Sequence, residues 1–148
     1  MQDFTRILAW QKAQAQANNV RILCIRHRKN GYGDLSEQMR KSASSVASNI
    51  SEGAACKTNA EFAKFLHDAL ESNGETKRHL MESRDTCFLP ARLANKLIDR
   101  NNEVGRLPSS FTRSVETELD EKEREESRKR RLEHARQREL DKHRRGEI

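Results

Sequence analysis

LSEQMRKSASSVASNISEG, residues Leu35 to Gly53, is the stretch that decides the fold. Its apolar members Leu35, Met39, Ala43, Val46, Ala47 and Ile50 recur at steps of three and four residues, the period of one helix face. Arg40 and Lys41 fall off that face. Ser42, Ser44, Ser45, Ser48 and Asn49 are mediocre helix formers, because short polar side chains compete for backbone hydrogen bonds. Five of them in one helix point to close helix approach or to side-chain hydrogen bonds. No His lies nearby in sequence, so small-residue packing explains these serines better than a nucleophile does.

Working outward, the same periodicity predicts three more helices. Trp10, Ala13, Ala17, Val20 and Cys24 form a bundle seam on a first helix from about Phe4 to Arg28, widened by Ile7, Leu8, Leu23 and Ile25. Asn30-Gly31-Tyr32-Gly33 reads as a turn, and Asp34 or Ser36 as the cap of the second helix, which ends near Gly53 to Cys56. Thr58 or Asn59 is placed to cap a third helix, with Glu61 in its first turn and Phe62, Phe65, Leu66, Ala69, Leu80 and Met81 on its buried side. Asn73, Gly74 and Thr76 interrupt that side, either for a close crossing or for contact with another subunit. Pro90 opens a fourth helix with Leu93, Leu97, Val104 and Leu107 as its stripe, and Pro108-Ser109-Ser110 is expected to end the bundle. The expected architecture is an all-α, antiparallel up-down-up-down four-helix bundle over residues 1–113, its helices roughly 30 Å long, followed by a charged helical or disordered tail over 114–148.

Only 34% of the 148 residues are hydrophobic and 35% are charged, which disfavours a large single-chain core and makes oligomerisation attractive. Residues 1–113 carry 18 Lys and Arg against 12 Asp and Glu, whereas 114–148 carry 11 against 11, so the net charge of +6 belongs to the bundle. A basic folded domain steers phosphate polyanions without prescribing sequence specificity. Arg26, Arg28, Lys29, Arg40 and Lys41 are the preferred phosphate-binding patch, with Lys57, Lys77 and Arg78 as further contributors, and RNA or DNA is the expected partner. Trp10, Ser45, Asn49, Ser72 and Asn73 are assigned to helix or subunit packing. Among the aromatics, Tyr32 alone is suspected of exposure for base stacking.

Cys24, Cys56 and Cys87 are odd in number and without a CxxC pair, which argues for a reducing compartment and against a disulfide framework or zinc site. Cys24 lies on the core stripe. No leader-like or membrane-length apolar run is present, and the expected location is cytoplasmic, with no membrane partner.

Leu35, Gln38, Arg40, Lys41, Ser45, Asn49, Ile50, Glu52 and Gly53 resemble the signature helix of the bacterial four-helix-bundle proteins encoded within intervening sequences of large-subunit ribosomal RNA genes. Phe4, Leu8 and Trp10-Gln11-Lys12-Ala13 resemble that family's opening helix, and Glu61-Phe62, Phe65-Leu66, Ala69, Ser72, Glu75 and Leu80 its third. Glu71 departs, standing where a small residue is common. The resemblance implies the same fold and ring-shaped homo-oligomers, typically pentamers. It also implies a relation to the accessory variability determinant of diversity-generating retroelements, which binds a reverse transcriptase and its template RNA.

Catalytic readings have less behind them. None of the histidines follows a Glu by three residues, the spacing of a di-iron bundle site, and the ladder His67, Glu71, Glu75, His79 is better explained as a solvated face. No cofactor or metal is expected. A HEPN-type ribonuclease, with an Arg and a His at short spacing, is the less favoured alternative; Arg21 with His27, or Arg128 with His134, have roughly that spacing, but such pairs arise easily among 29 basic residues. The expected function is a non-enzymatic, homo-oligomeric nucleic-acid scaffold or adaptor, as an accessory of a reverse transcriptase or as a ribosomal-RNA-associated protein. In the tail, Glu118 with Lys122, Asp120 with Arg124, Glu125 with Lys129 and Glu126 with Arg130 have the favourable acidic-first i,i+4 order of a solvated helix. The tail is also polar in charge: Glu116 to Glu126 holds seven acids against two bases, and Arg128 to Arg145 nine bases against three acids. Its distal half is expected to bind phosphate or to meet the acidic half of a neighbouring copy.

Overall fold

Short polar links set the helix boundaries. The computed structural model describes residues 7–145, with α1 (Leu8–Arg26), α2 (Gly33–Ala54), α3 (Asn59–Asp85) and α4 (Ala91–Arg145) in order. Two compact units result, Met1–Arg113 and Ser114–Ile148. The expected beginning of α1 at Phe4 lies outside the described residues.

Between α1 and α2, Gly31 adopts φ +88° inside the turn that Tyr32 N–H closes on Lys29 O at 3.4 Å, a conformation that a side chain would disfavour. The cap of α2 is backbone-only: Tyr32 occupies it with no side-chain bond, and Asp34 sits in the first turn, where a carboxylate favours the helix dipole. Neither Asp34 nor Ser36 is therefore the cap, because the helix begins at Gly33, ahead of both. Thr58 caps α3 in the expected way. Its side chain accepts from Glu61 N–H while the Glu61 carboxylate accepts from Thr58 N–H, both at 3.2 Å, which satisfies two orphan donors at once.

The fourth helix overturns one expectation. Pro108 lies inside α4, buried, and the helix runs on to Arg145. A proline inside a helix forfeits one i to i−4 bond; nearby hydroxyls bond back one turn, Ser109 Oγ donating to Gly105 O at 2.8 Å and Thr112 Oγ1 to Pro108 O at 2.9 Å, without replacing it. Burial of the Pro108 ring against the bundle offsets the lost bond, so Pro108-Ser109-Ser110 does not end α4, although the bundle unit closes a few residues on, at Arg113.

Within the bundle the pairing is antiparallel. Ser42 meets Thr76 and Ser45 meets Ser72 across α2 and α3, while Lys12 meets Glu103 and Gln16 meets Leu97 across α1 and α4. The core is thin. Among the described residues, nine of the 22 buried apolar side chains are Ala, so helices must approach closely to exclude water. It divides into two apolar clusters. One gathers Val20, Cys24, Met39, Leu80, Phe88, Leu89 and Leu97 near the α1–α2 and α3–α4 links; the other gathers Ala13, Val46, Ile50, Phe62, Leu66 and Val104 toward the opposite end. Close approach is most demanding at Gly53, where an added Cβ would stand 2.5 Å from Phe62 Cδ2 and 2.8 Å from Phe65 Cβ. Gly53 is thus a packing residue in the last turn of α2, which ends at Ala54 as expected.

Three expected core residues are not core. Leu8, Ile25 and Met81 are 54%, 57% and 41% exposed, since each lies beyond the arc that three neighbouring helices cover. In the second unit, every residue from Glu116 to Leu140 is exposed. Glu125 with Lys129 and Glu126 with Arg130 pair at 3.6 and 4.0 Å, while the pairs expected at Glu118 with Lys122 and Asp120 with Arg124 do not close to ion-pair distance.

Candidate nucleic-acid interface

Between the two apolar clusters the bundle has a polar waist, to which all four helices contribute. Gln16, Ser42, Thr76 and Asn101 are buried there, with Ser45, Ser72 and Asn73 partly so. Thr76 Oγ1 bonds Ser42 Oγ at 3.0 Å and donates to Ser72 O at 2.8 Å, Ser72 Oγ reaches Ser45 Oγ at 3.0 Å, and Asn49 Nδ2 donates to Ser45 Oγ at 3.2 Å. Across α3 and α4 the bonds are reciprocal: Asn73 Nδ2 donates to Asn101 O at 3.1 Å and Asn101 Nδ2 to Asn73 O at 2.8 Å. Gly105 leaves room for that exchange, since a Cβ there would stand 2.7 Å from Asn73 Nδ2. Slipping any helix by one turn would strand these groups at about 1–3 kcal/mol each, so the waist sets register. Ser42, Ser45 and Asn49 of the signature helix, and Asn73 and Thr76 of the mid-helix break, are explained within one chain by this layer, whereas Ser44, Ser48 and Gly74 are exposed. Glu71 points to solvent and leaves the Ser72 contact intact.

The waist also divides the surface charge. Segments 20–43 and 77–99, which flank the α1–α2 and α3–α4 links, together hold eleven Lys and Arg against five Asp and Glu, a net of +6. The rest of 1–113 holds seven of each and is neutral. Antiparallel topology brings the two segments to one end, where Lys29 Nζ donates to Cys87 O at 2.6 Å and Tyr32 OH to Thr86 O at 2.9 Å. Tyr32 stacks on Phe88 with ring centroids 5.2 Å apart, so it is a packing residue and not the exposed stacking platform expected of it. The α3–α4 link is itself tight, with Cys87 at φ 57°.

Arg26, Arg28, Lys29, Arg40 and Lys41 all lie at this basic end and are exposed. Arg40 and Lys41 border a groove along α2 floored by Ser44, Ser45 and Ser48, with Arg21 of α1 on its other wall. Lys41 also pairs with Glu37 at 2.7 Å; that hydrogen bond and the lysine's charge hold the Glu37 carboxyl below its usual range. Lys77 and Arg78 belong to the same half but to a separate depression, shared with Gly74, Met81, Glu82, Asp85 and Thr86. Lys57 does not join them. It follows α2 at the opposite end, because the α2–α3 link of an antiparallel bundle is a helix length away from the other two. Arg21, Arg92 and Lys96, which single-helix reading passed over as binding residues, do belong to the basic half; the antiparallel order of the helices was the signal that places them.

His27 is the C-cap of α1, its N–H bonded to Leu23 O, while Arg21 stands at the groove. Trp10 is half-buried against the second apolar cluster. Cys24 is 3% exposed; burial pushes its thiol pKa up, partly offset by its hydrogen bond to Ser36 and the charge of Arg40. No group of three or more potential metal ligands occurs among the described residues, and no helix there is long and apolar enough to cross a membrane.

Fold, waist and basic end define a class: small all-α bundle proteins with a polar register layer and a polarised surface. Residues 5–110 match the 23S rRNA-intervening sequence protein family, and the chain belongs to that family. It is similar in structure to a protein of unknown function from the S23 ribosomal protein family of Bacteroides thetaiotaomicron, with a TM-score of 0.65 and 19% identity over 71% of this chain and 98% of that one. At that identity the likeness speaks for the fold. No curated protein matches.

Proposed function

We propose that the protein is a non-enzymatic nucleic-acid-binding scaffold, holding the phosphate backbone of a structured RNA at the basic end of its bundle. The observation that carries this reading is the confinement of the whole net charge of 1–113 to segments 20–43 and 77–99. Cations concentrated on one end focus the field that attracts a polyanion, and phosphate contacts need reach more than exact angles. The family description names 23S rRNA, which favours a ribosomal RNA segment as the partner. The finer version, an adaptor between an RNA and a reverse transcriptase, would set this end against the nucleic acid. A homopentamer, as family resemblance implies, would repeat the patch and raise avidity without new contacts.

The test is RNA binding by full-length protein as a function of salt. Arg26→Gln/Arg28→Gln/Arg40→Gln should weaken binding and lower the slope of log K against log salt by roughly 2 to 3, at about 0.7–0.9 per lost phosphate contact. Lys57→Gln/Lys64→Gln/Arg106→Gln, the same charge change at the other end, should leave the slope nearly unchanged. Equal effects of both triple variants would remove the basic end from the model of function.

A further inference from the structure

The cations of the tail helix are not spread evenly around it. At about 100° per residue, Arg128, Arg131, Arg138, Lys142 and Arg145 fall within an arc of roughly 100°, with Ala135 between them, and no Asp or Glu of residues 128–145 lies in that arc. The stripe is about 26 Å long at about 1.5 Å per residue. Of the four cations off the stripe, Lys129 and Arg130 are engaged by Glu125 and Glu126 at 3.6 and 4.0 Å. Among the described residues none of the five stripe members is in an ion pair. Their i−4 neighbours are Arg124, Ser127, His134, Arg138 and Asp141, so at that spacing only Arg145 follows an acid; at i−3, Arg128 follows Glu125, which pairs with Lys129, and Lys142 follows Glu139.

Two further features narrow the partner. Residues 114–148 contain no Phe, Tyr or Trp, so the tail offers no platform on which unpaired bases could stack. Seven acids against two bases in Glu116 to Glu126 repel a polyanion from the proximal half and confine it to the distal one. We propose that the tail helix is a second nucleic-acid-binding element, laying its five-cation stripe along the phosphate backbone of duplex RNA without reading sequence. The inference rests on the nucleic-acid reading of the chain but on residues outside those that match the family, and it adds a separate element to that reading.

Four-fold neutralisation on and off the stripe separates geometry from bulk charge. In full-length protein, Arg128→Gln/Arg131→Gln/Arg138→Gln/Lys142→Gln is compared with Lys129→Gln/Arg130→Gln/Arg136→Gln/Arg144→Gln; Gln keeps helix propensity close to that of Arg and Lys. The probe is a blunt RNA duplex of about 20 base pairs, followed by anisotropy across salt concentrations. The stripe variant should bind at least about tenfold more weakly, with a shallower salt slope, and the off-stripe variant within about threefold of wild type. Equal losses would reduce the stripe to overall charge, and no loss in either would exclude the tail; both overturn the proposal. Loss of binding to phosphatidylserine vesicles without loss on the duplex would assign the stripe to a membrane and overturn it as well. Loss confined to Arg26→Gln/Arg28→Gln/Arg40→Gln would sink this proposal and leave the bundle-end reading standing, and loss confined to the stripe variant would do the reverse.

Discussion

Gly53→Ala and Gly74→Ala should have opposite effects, although both replace a helical glycine by the best helix former. At Gly53 the new Cβ would stand 2.5 Å from Phe62 Cδ2 and 2.8 Å from Phe65 Cβ, against ordinary carbon contacts of about 3.5–4.0 Å. Phe62 is held by Phe111, ring centroids 4.9 Å apart, and the Phe65 Cβ is fixed to the α3 backbone, so no rotamer change relieves both contacts. α2 and α3 must part by about 1 Å or Phe62 must leave its site, which by analogy with other overpacked cores costs about 1–3 kcal/mol. Against this stands a propensity gain of up to about 1 kcal/mol, smaller in a last turn. Net destabilisation of about 1–2 kcal/mol corresponds to a fall in Tm of roughly 5–10 °C for a bundle of this size. At Gly74 nothing lies within 4 Å of the added Cβ, so the same substitution should stabilise by about 0.5–1 kcal/mol and raise Tm by a few degrees. Thermal unfolding followed by circular dichroism, with light scattering to hold oligomer mass fixed, measures both. A Gly53→Ala protein as stable as wild type would refute the close-crossing argument, and a destabilised Gly74→Ala protein with altered mass would put a subunit contact where the chain alone shows open space.

Three further outcomes follow from the waist and the core. Asn101→Ala should cost about 1–3 kcal/mol in urea unfolding and Asn73→Ala somewhat less, with the double variant less destabilised than the sum by at least about 0.5 kcal/mol; strict additivity would deny that the reciprocal pair acts as a unit. Alkylation of native protein should modify exposed Cys87 first and buried Cys24 last. The raised Cys24 pKa adds a pH effect: its contribution is complete below the ordinary thiol value of 9.0 and is lost as pH rises through the folded value, because only the unfolded chain ionises first. Cys24→Val should therefore flatten part of the alkaline decline in stability, and an unchanged decline would assign it to other groups.

Helix number and order were legible because apolar spacing carries them: Met39, Ala43, Val46 and Ile50 mark one face whatever surrounds it. The Thr58 and Glu61 cap was equally legible, being local. Pro108 misled, since the propensity penalty is local while the burial that offsets it comes from other helices. Leu8, Ile25 and Met81 were assigned to the core because periodicity names a face but not the width of it that neighbours cover. Tyr32 looked exposed between glycines until the α3–α4 link supplied Phe88 and the Thr86 carbonyl.

By itself the sequence determined four helices, a charge of +6 on the bundle residues and a tail with segregated charge, since periodicity and composition are properties of the chain. Tertiary structure decided that the serines of α2 meet Ser72 and Thr76, that Asn73 and Asn101 exchange bonds, and that cations from residues 20–43 and 77–99 share one end. Those facts depend on which helix ends an antiparallel path brings together. Residues about 50 apart in sequence become neighbours only when the helices between them have packed.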